Sequence, residues 1–161
     1  MNGPGDVATH LARARRVVIV PGYGVAVAQA QHALGHLVET LRRRGTDVVF
    51  ALHPLAGRMP GQLNVLLDAA GVSWADLRDL ETVDFDSADV ALVVGANDVV
   101  NPRLGIPVLE VTRAGHVVVL IRSTGPGYAG IGNPLFDRAT VRCGDALELV
   151  RETEQAVARI P

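Results

Sequence analysis

Lysine is missing from the sequence: all 15 of its Lys and Arg positions are arginine. That excludes a lysine Schiff base and a Walker-type phosphate lysine within this chain. The single cysteine, Cys143, allows no internal disulfide and no cysteine-based zinc site, and it fits a reducing compartment. It reads as a small core residue. Aromatics are only 4% of the chain while 48% is hydrophobic, so the core must be aliphatic, as in an α/β sheet. A net charge of −2 gives no electrostatic footprint for nucleic acid or an acidic membrane, and no nucleic-acid partner is expected. No apolar run approaches ~18–20 residues, so no direct membrane insertion is expected. Met1 to His10 is small and polar, without the apolar centre of a signal peptide, and a soluble domain is expected. His32 and His36 stand at helical spacing, but Ala33 replaces the glutamate of a zinc-protease motif, so no metal is expected. Ser123 lacks a nucleophile-elbow context.

What is present is organised around Arg16-Val-Val-Ile-Val-Pro-Gly-Tyr-Gly-Val-Ala-Val27. A β-branched apolar run suits a strand buried on both faces. It breaks at Pro21-Gly22 and passes into an apolar-periodic segment, Ala26 to Leu41, that predicts one helix with Val27, Ala30, Leu34, Leu37, Val38 and Leu41 on its buried face. Gly22 and Gly24 at this strand-to-helix turn point to a nucleotide site, with free N–H groups at a helix N-terminus, ahead of a plain tight turn. At 161 residues the chain reads as a lead-in, residues 1–15, followed by one domain, residues 16–161.

Asp47 to Leu52 is the next predicted strand. It ends in Ala51-Leu52-His53-Pro54, without the acid that usually holds an NAD ribose, which points towards NADP or no dinucleotide at all. The Pro- and Gly-dense loop around Arg58 suits either a ligand wall or a plain connection, and Gln62 to Ala70 predicts a helix. Asp76 to Val83 and Val108 to Val111 read as short strands, and Val90 to Val94, His116 to Ile121 and Ala139 to Arg142 as further ones. Asn97, Asp98 and Asn101 follow one strand; Arg122 and Ser123, suited to grip a phosphate, follow another. Gly125 to Pro134, with Tyr128, reads as a loop able to cover a ligand. Asp145 and Glu148 form a capping-box-like start to the last helix. The polar and glycine-rich loops all follow strands, which is the layout of a doubly wound parallel sheet.

Several stretches together resemble one family. They are Val20-Pro-Gly-Tyr-Gly-Val-Ala-Val-Ala-Gln-Ala-Gln31, His53-Pro-Leu-Ala-Gly-Arg-Met-Pro-Gly-Gln-Leu-Asn-Val-Leu-Leu67, Val94-Gly-Ala-Asn-Asp98 with Asn101-Pro102, Pro107-Val-Leu-Glu-Val111, Arg122-Ser123, Gly127-Tyr-Ala129, Asn133-Pro-Leu-Phe136 and Gly144-Asp-Ala146. They resemble the NADP(H)-binding domain III of proton-translocating nicotinamide nucleotide transhydrogenase, over nearly the whole chain from Arg16. The resemblance implies a six-stranded Rossmann-like sheet holding NADP(H) for hydride exchange with NAD(H). The NAD(H) would sit on a partner domain, and a membrane-spanning domain would couple the exchange to protons.

By that resemblance Gly22, Tyr23, Gly24, Val25, Ala26 and Val27 lie along the dinucleotide. Leu55, Ala56, Gly57, Arg58, Met59 and Pro60 contact it, as do Gly95, Ala96, Asn97, Asp98 and Val99. Asp98 is the acid linked to proton-coupled change. Arg122 and Ser123 hold the 2′-phosphate; Thr124, Gly125, Gly127 and Tyr128 belong to the lid; Asp145 and Ala146 touch the cofactor from the last helix. The chain departs from the family at Ile121, where a lysine normally precedes the Arg-Ser pair, in a shortened segment between Pro102 and Pro107, and in the lid's Thr124-Gly-Pro126. The rival readings are a nucleotide-binding module without catalysis and a dinucleotide enzyme using FAD or NAD.

Overall fold

The structure, a computed structural model, describes residues 3–161. Helix α1 (Pro4–Arg13) precedes strand β1 (Arg16–Pro21), and α2 (Tyr23–Ala28) and α3 (Gln31–Arg43) lead to β2 (Asp47–Ala51). Helix α4 (Gln62–Ala69) is followed by the two-residue strand β3 (Leu77–Arg78), then β4 (Val90–Val94), β5 (His116–Ile121), β6 (Thr140–Cys143) and α5 (Ala146–Ala158). The strands form one six-stranded parallel sheet in the order β3-β2-β1-β4-β5-β6. This is the Rossmann-like doubly wound arrangement.

The central strands explain themselves chemically. Val17–Val20, Val90–Val94 and Val117–Leu120 are buried throughout, because helical elements cover both faces of the sheet and leave no polar side to alternate with. Successive strands step one way from β1 and the other way from β4. Their neighbouring carboxyl ends therefore diverge into a crevice, the place where open parallel sheets take ligands.

Four sequence expectations need correction. The helix predicted over Ala26 to Leu41 is two helices. Gln29 adopts the left-handed conformation (φ 55°, ψ 45°) and its side chain donates to the Ala26 carbonyl at 2.9 Å, which ends α2. The break turns Val27 off the core face and leaves it 63% exposed, while Ala30, Leu34, Leu37, Val38 and Leu41 stay buried. The strand predicted over Asp76 to Val83 stops at Arg78. The Asp79 carboxylate accepts from the Glu81 and Thr82 amides and from the Thr82 hydroxyl, and this local turn replaces ladder pairing. Those bonds, the Thr82 ones first, hold the Asp79 carboxyl below its usual value.

Val108 to Val111 is not a strand either. Pro107 has no amide to donate, and Val111–Arg113 winds into a 3-10 turn. Leu109 and Val111 are buried all the same, with the Leu109 amide donating to the Val99 carbonyl at 2.9 Å. Cys143 is exposed at the end of β6 rather than packed in the core.

Helix α1 buries Val7, Ala8 and Leu11 and packs against α5. It ends beside the amino edge of β5, where His10 stacks on His116 with ring centroids 3.8 Å apart. The His116 Nε2 lies 2.7 Å from the Thr140 hydroxyl. Burial, and then the neighbouring His10, hold the His116 imidazole below its ordinary value.

Candidate functional site at the divergence of the sheet

A cleft of about 560 Å³ opens at the carboxyl ends of β1 and β4. Its floor is made by glycines. A Cβ on Gly22 would stand 2.5 Å from the Gly95 carbonyl oxygen, and one on Gly24 2.7 Å from Gly95 Cα. Gly95 itself has φ +63°. The two turns thus pack backbone against backbone, and only glycine permits that distance. The Gly24 amide donates to the Gly95 carbonyl and the Gly22 amide to the Val94 carbonyl, both at 2.9 Å. The glycines therefore join β1 to β4, and neither of their amides is a free donor at a helix start.

One wall comes from the loop after β2. Leu55, Ala56, Gly57 and Arg58 line it, and the Arg58 guanidinium lies over the Tyr23 ring at 4.6 Å, a cation–π contact. Gln62 fixes the turn by accepting the Arg58 amide at 2.7 Å. His53, buried at 5% exposure, holds the base of this wall. Its Nδ1 accepts the Leu55 amide at 3.0 Å, so the ring proton is on Nε2, which donates to the Pro107 carbonyl at 2.7 Å.

The opposite wall follows β4: Gly95, Ala96, Asn97, Asp98 and Val99. The half-buried Asp98 accepts the Ala129 amide through Oδ2 at 2.9 Å. Its Oδ1 is buried and without a hydrogen-bond partner, close against Gly127, where any Cβ would collide with the carboxylate. Asn97 donates to the Gly125 carbonyl at 3.0 Å, and Asn133 donates back to the Asn97 carbonyl at 3.1 Å. The loop after β5 is thus strapped to this wall by side chains, with Tyr128 fully exposed at its tip beside the cleft.

The cleft brings together Gly22, Tyr23, Gly24, Leu55 to Arg58, Gly95 to Val99 and Tyr128 from the sequence-derived set. The remaining members lie off its walls. Val25 and Ala26 are buried in α2; Val27, Met59 and Pro60 face solvent. Arg122, Ser123 and Thr124 are exposed at the end of β5. The Ser123 hydroxyl accepts the Gly125 amide at 3.0 Å, while the Arg122 guanidinium has no hydrogen bond or ion pair among the described residues. Asp145 caps α5 by accepting the Glu148 amide at 3.1 Å, and Ala146 is buried behind it. Asn101, expected at the ligand edge, is wholly buried and turned into the protein. Leu104 and Ile106 line the cleft and escaped the sequence reading, because apolar residues in a loop look like core. Among the described residues no cluster of His, Cys, Asp or Glu is suited to hold a metal.

The cleft fits a nicotinamide dinucleotide in kind. It has the volume of a small-molecule site, two tyrosines, the Arg58 guanidinium in one wall, and a glycine floor that no side chain obstructs.

The family described as NAD(P) transhydrogenase beta subunit matches residues 2–156. The NAD(P) transhydrogenase subunit beta of Rhodospirillum rubrum is 45% identical over 165 aligned positions, covering 94% of this chain and 36% of the relative. The chain therefore spans about a third of the length of the curated relatives it matches. Solved structures share the fold at low identity. A candidate thiamin diphosphate-dependent enzyme from Mycobacterium smegmatis aligns over 96% of this chain and 27% of its own, with a TM-score of 0.59 and 17% identity. An exopolyphosphatase-related protein from Bacteroides fragilis aligns over 96% of this chain and 43% of its own, with a TM-score of 0.59 and 16% identity. On the strength of the family match and the R. rubrum relative, the chain belongs to the NAD(P) transhydrogenase beta-subunit family.

Proposed function

We propose that this chain holds NADP(H) in the cleft between β1 and β4 and presents it for hydride exchange with NAD(H) carried by a separate transhydrogenase domain. What carries the reading is that stretches far apart in sequence, Gly22–Gly24, Leu55–Arg58 and Gly95–Val99, form one cleft at the reversal of strand order in a chain of this family. When bound, the nicotinamide supplies the redox chemistry, and exchange requires two such rings at roughly 3–3.5 Å with water kept out. The chain's own residues then position and shield. Tyr23 under the Arg58 guanidinium offers a flat, cationic surface. Arg122 offers a fork of donors to the 2′-phosphate. Tyr128 and the loop behind it exclude water.

Asp98 is assigned the coupling role. Its unpartnered Oδ1 faces the Gly127 backbone while its Oδ2 holds the Ala129 amide, so a proton placed there changes what the loop meets. Exposed apolar side chains lining the cleft, Leu55, Ile106 and Tyr128, suit the face that a partner domain covers. No helix among the described residues is long and apolar enough to cross a membrane. In this reading the membrane-spanning part belongs to another domain or subunit, and this chain sits peripherally at its cytoplasmic side.

The experiment is a titration of the chain with NADP⁺, NADPH, NAD⁺ and NADH, with Arg122→Ala alongside. Preference for NADP(H) and a loss of about 10- to 100-fold in the variant is expected, the worth of a charge-assisted contact. Equal or absent binding of all four nucleotides overturns the reading. A binding module without exchange is the second reading. It is favoured by Ile121, a buried apolar residue where the family resemblance implies a lysine beside Arg122. Hydride exchange on mixing with an NAD(H)-loaded transhydrogenase domain decides against it.

A further inference from the structure

Asn101 ends the short 3-10 turn Asp98–Val100 and is wholly buried. Its Nδ2 donates to the Ile131 carbonyl at 3.1 Å and to the Gly132 carbonyl at 3.3 Å. Its Oδ1 accepts the Arg103 amide at 3.0 Å. The partners fix which end of the amide is nitrogen, because carbonyls lie on one side and an N–H on the other. The oxygen side starts the turn Pro102–Leu104, which carries Leu104 into the cleft. The nitrogen side grips the trailing end of the loop whose tip is Tyr128. Asp98 and Asn97 hold the leading part of that loop through Ala129 and Gly125. Among the described residues, Asn101 alone donates to the Ile131 and Gly132 carbonyls.

We propose that Asn101 is a positioning residue. Its side-chain amide clasps the trailing end of the loop after β5 to the Leu104 wall, and so sets how far that loop opens from a nucleotide in the cleft. It touches no ligand and acts through the backbone it holds. For its effect on a bound nucleotide, the inference rests on the NADP(H) reading above; for its effect on the loop, it does not.

The competing role is a turn cap only, and the two roles separate by substitution. In Asn101→Ser the hydroxyl still accepts the Arg103 amide, since serine caps as well as asparagine, but it is too short to hold the loop carbonyls. Asn101→Ala loses both contacts. Chymotrypsin cleavage after the fully exposed Tyr128 reports loop opening, and the NADPH release rate reports its consequence. Both variants are expected to be cleaved, and to release NADPH, about 5- to 10-fold faster than the unsubstituted chain, the scale of a lost hydrogen bond. A serine variant indistinguishable from the unsubstituted chain, with only the alanine variant altered, overturns the clasp in favour of the cap. If the unsubstituted chain binds no NADPH, the NADP(H) reading falls and the cleavage ratio still decides the clasp. Should the variants not fold, the side-chain NH₂ of Asn101 in the unsubstituted chain decides. Slowed hydrogen exchange supports the clasp, and exchange at the rate of a solvated amide overturns it.

Discussion

The floor of the cleft and the loop beside it are held by opposite means. At the floor, Gly22, Gly24 and Gly95 bring two backbones into contact and no side chain intervenes. At the loop, the backbone of residues 125–132 makes no hydrogen bond to a strand among the described residues and is held by the side chains of Asn97, Asp98 and Asn101. Backbone contact at that distance has no intermediate setting, whereas side-chain bonds break one at a time. The floor is therefore built to be rigid, and the loop is held by bonds that can be lost singly, which is what the proposed lid requires.

Substitution should break the floor hardest. Gly22→Ala puts a methyl within 2.6 Å of Ala96 and 2.5 Å of the Gly95 carbonyl, neither of which is a flexible side-chain end. A loss of about 3 kcal/mol or failure to fold is expected from such overpacking, read from urea unfolding. A stable Gly22→Ala variant would mean that the two turns can part. On the loop side Asn133→Ala is expected to cost less, about 1–2 kcal/mol. It removes the acceptor of the Leu135 amide and the bond to the Asn97 carbonyl, and leaves the sheet intact. If it equals the glycine variant in effect, the contrast between the regions fails.

The smallest effect is expected at the far edge of the sheet, where His116 stacks on His10. His116 titrates below its usual value of 6.5 when folded, so the unfolded chain binds the proton first as pH falls. Its contribution to stability is complete well above pH 6.5 and declines as pH falls through that value and on to the depressed folded one. Chemical unfolding at stepwise pH should show a decline that His116→Phe flattens. An unchanged slope in the variant would assign the pH dependence elsewhere.

The sequence made the central strands legible because β4 and β5 are buried on both faces and so read as unbroken apolar runs. It hid the break in the first long helix, since Gln29 takes a left-handed conformation that its residue type does not advertise. Val108 to Val111 carried the composition of a strand, yet its burial comes from packing under a turn. At the site, the glycines were legible as a turn, while their reason was not: the partner of Gly22 and Gly24 is Gly95, at the end of the neighbouring strand but far away in sequence. Arg58 stood out by its surroundings in sequence. The roles of His53 and Asn101 did not, because each is defined by a carbonyl distant in the chain.

His53 has a mechanical consequence. One imidazole spans from the Leu55 amide to the Pro107 carbonyl, so the Arg58 wall and the Ile106–Pro107 wall share a strut and form a single jaw. That side of the cleft is braced as a unit. In the proposed reading a nucleotide enters and leaves past Tyr128, where the holding bonds are side-chain ones.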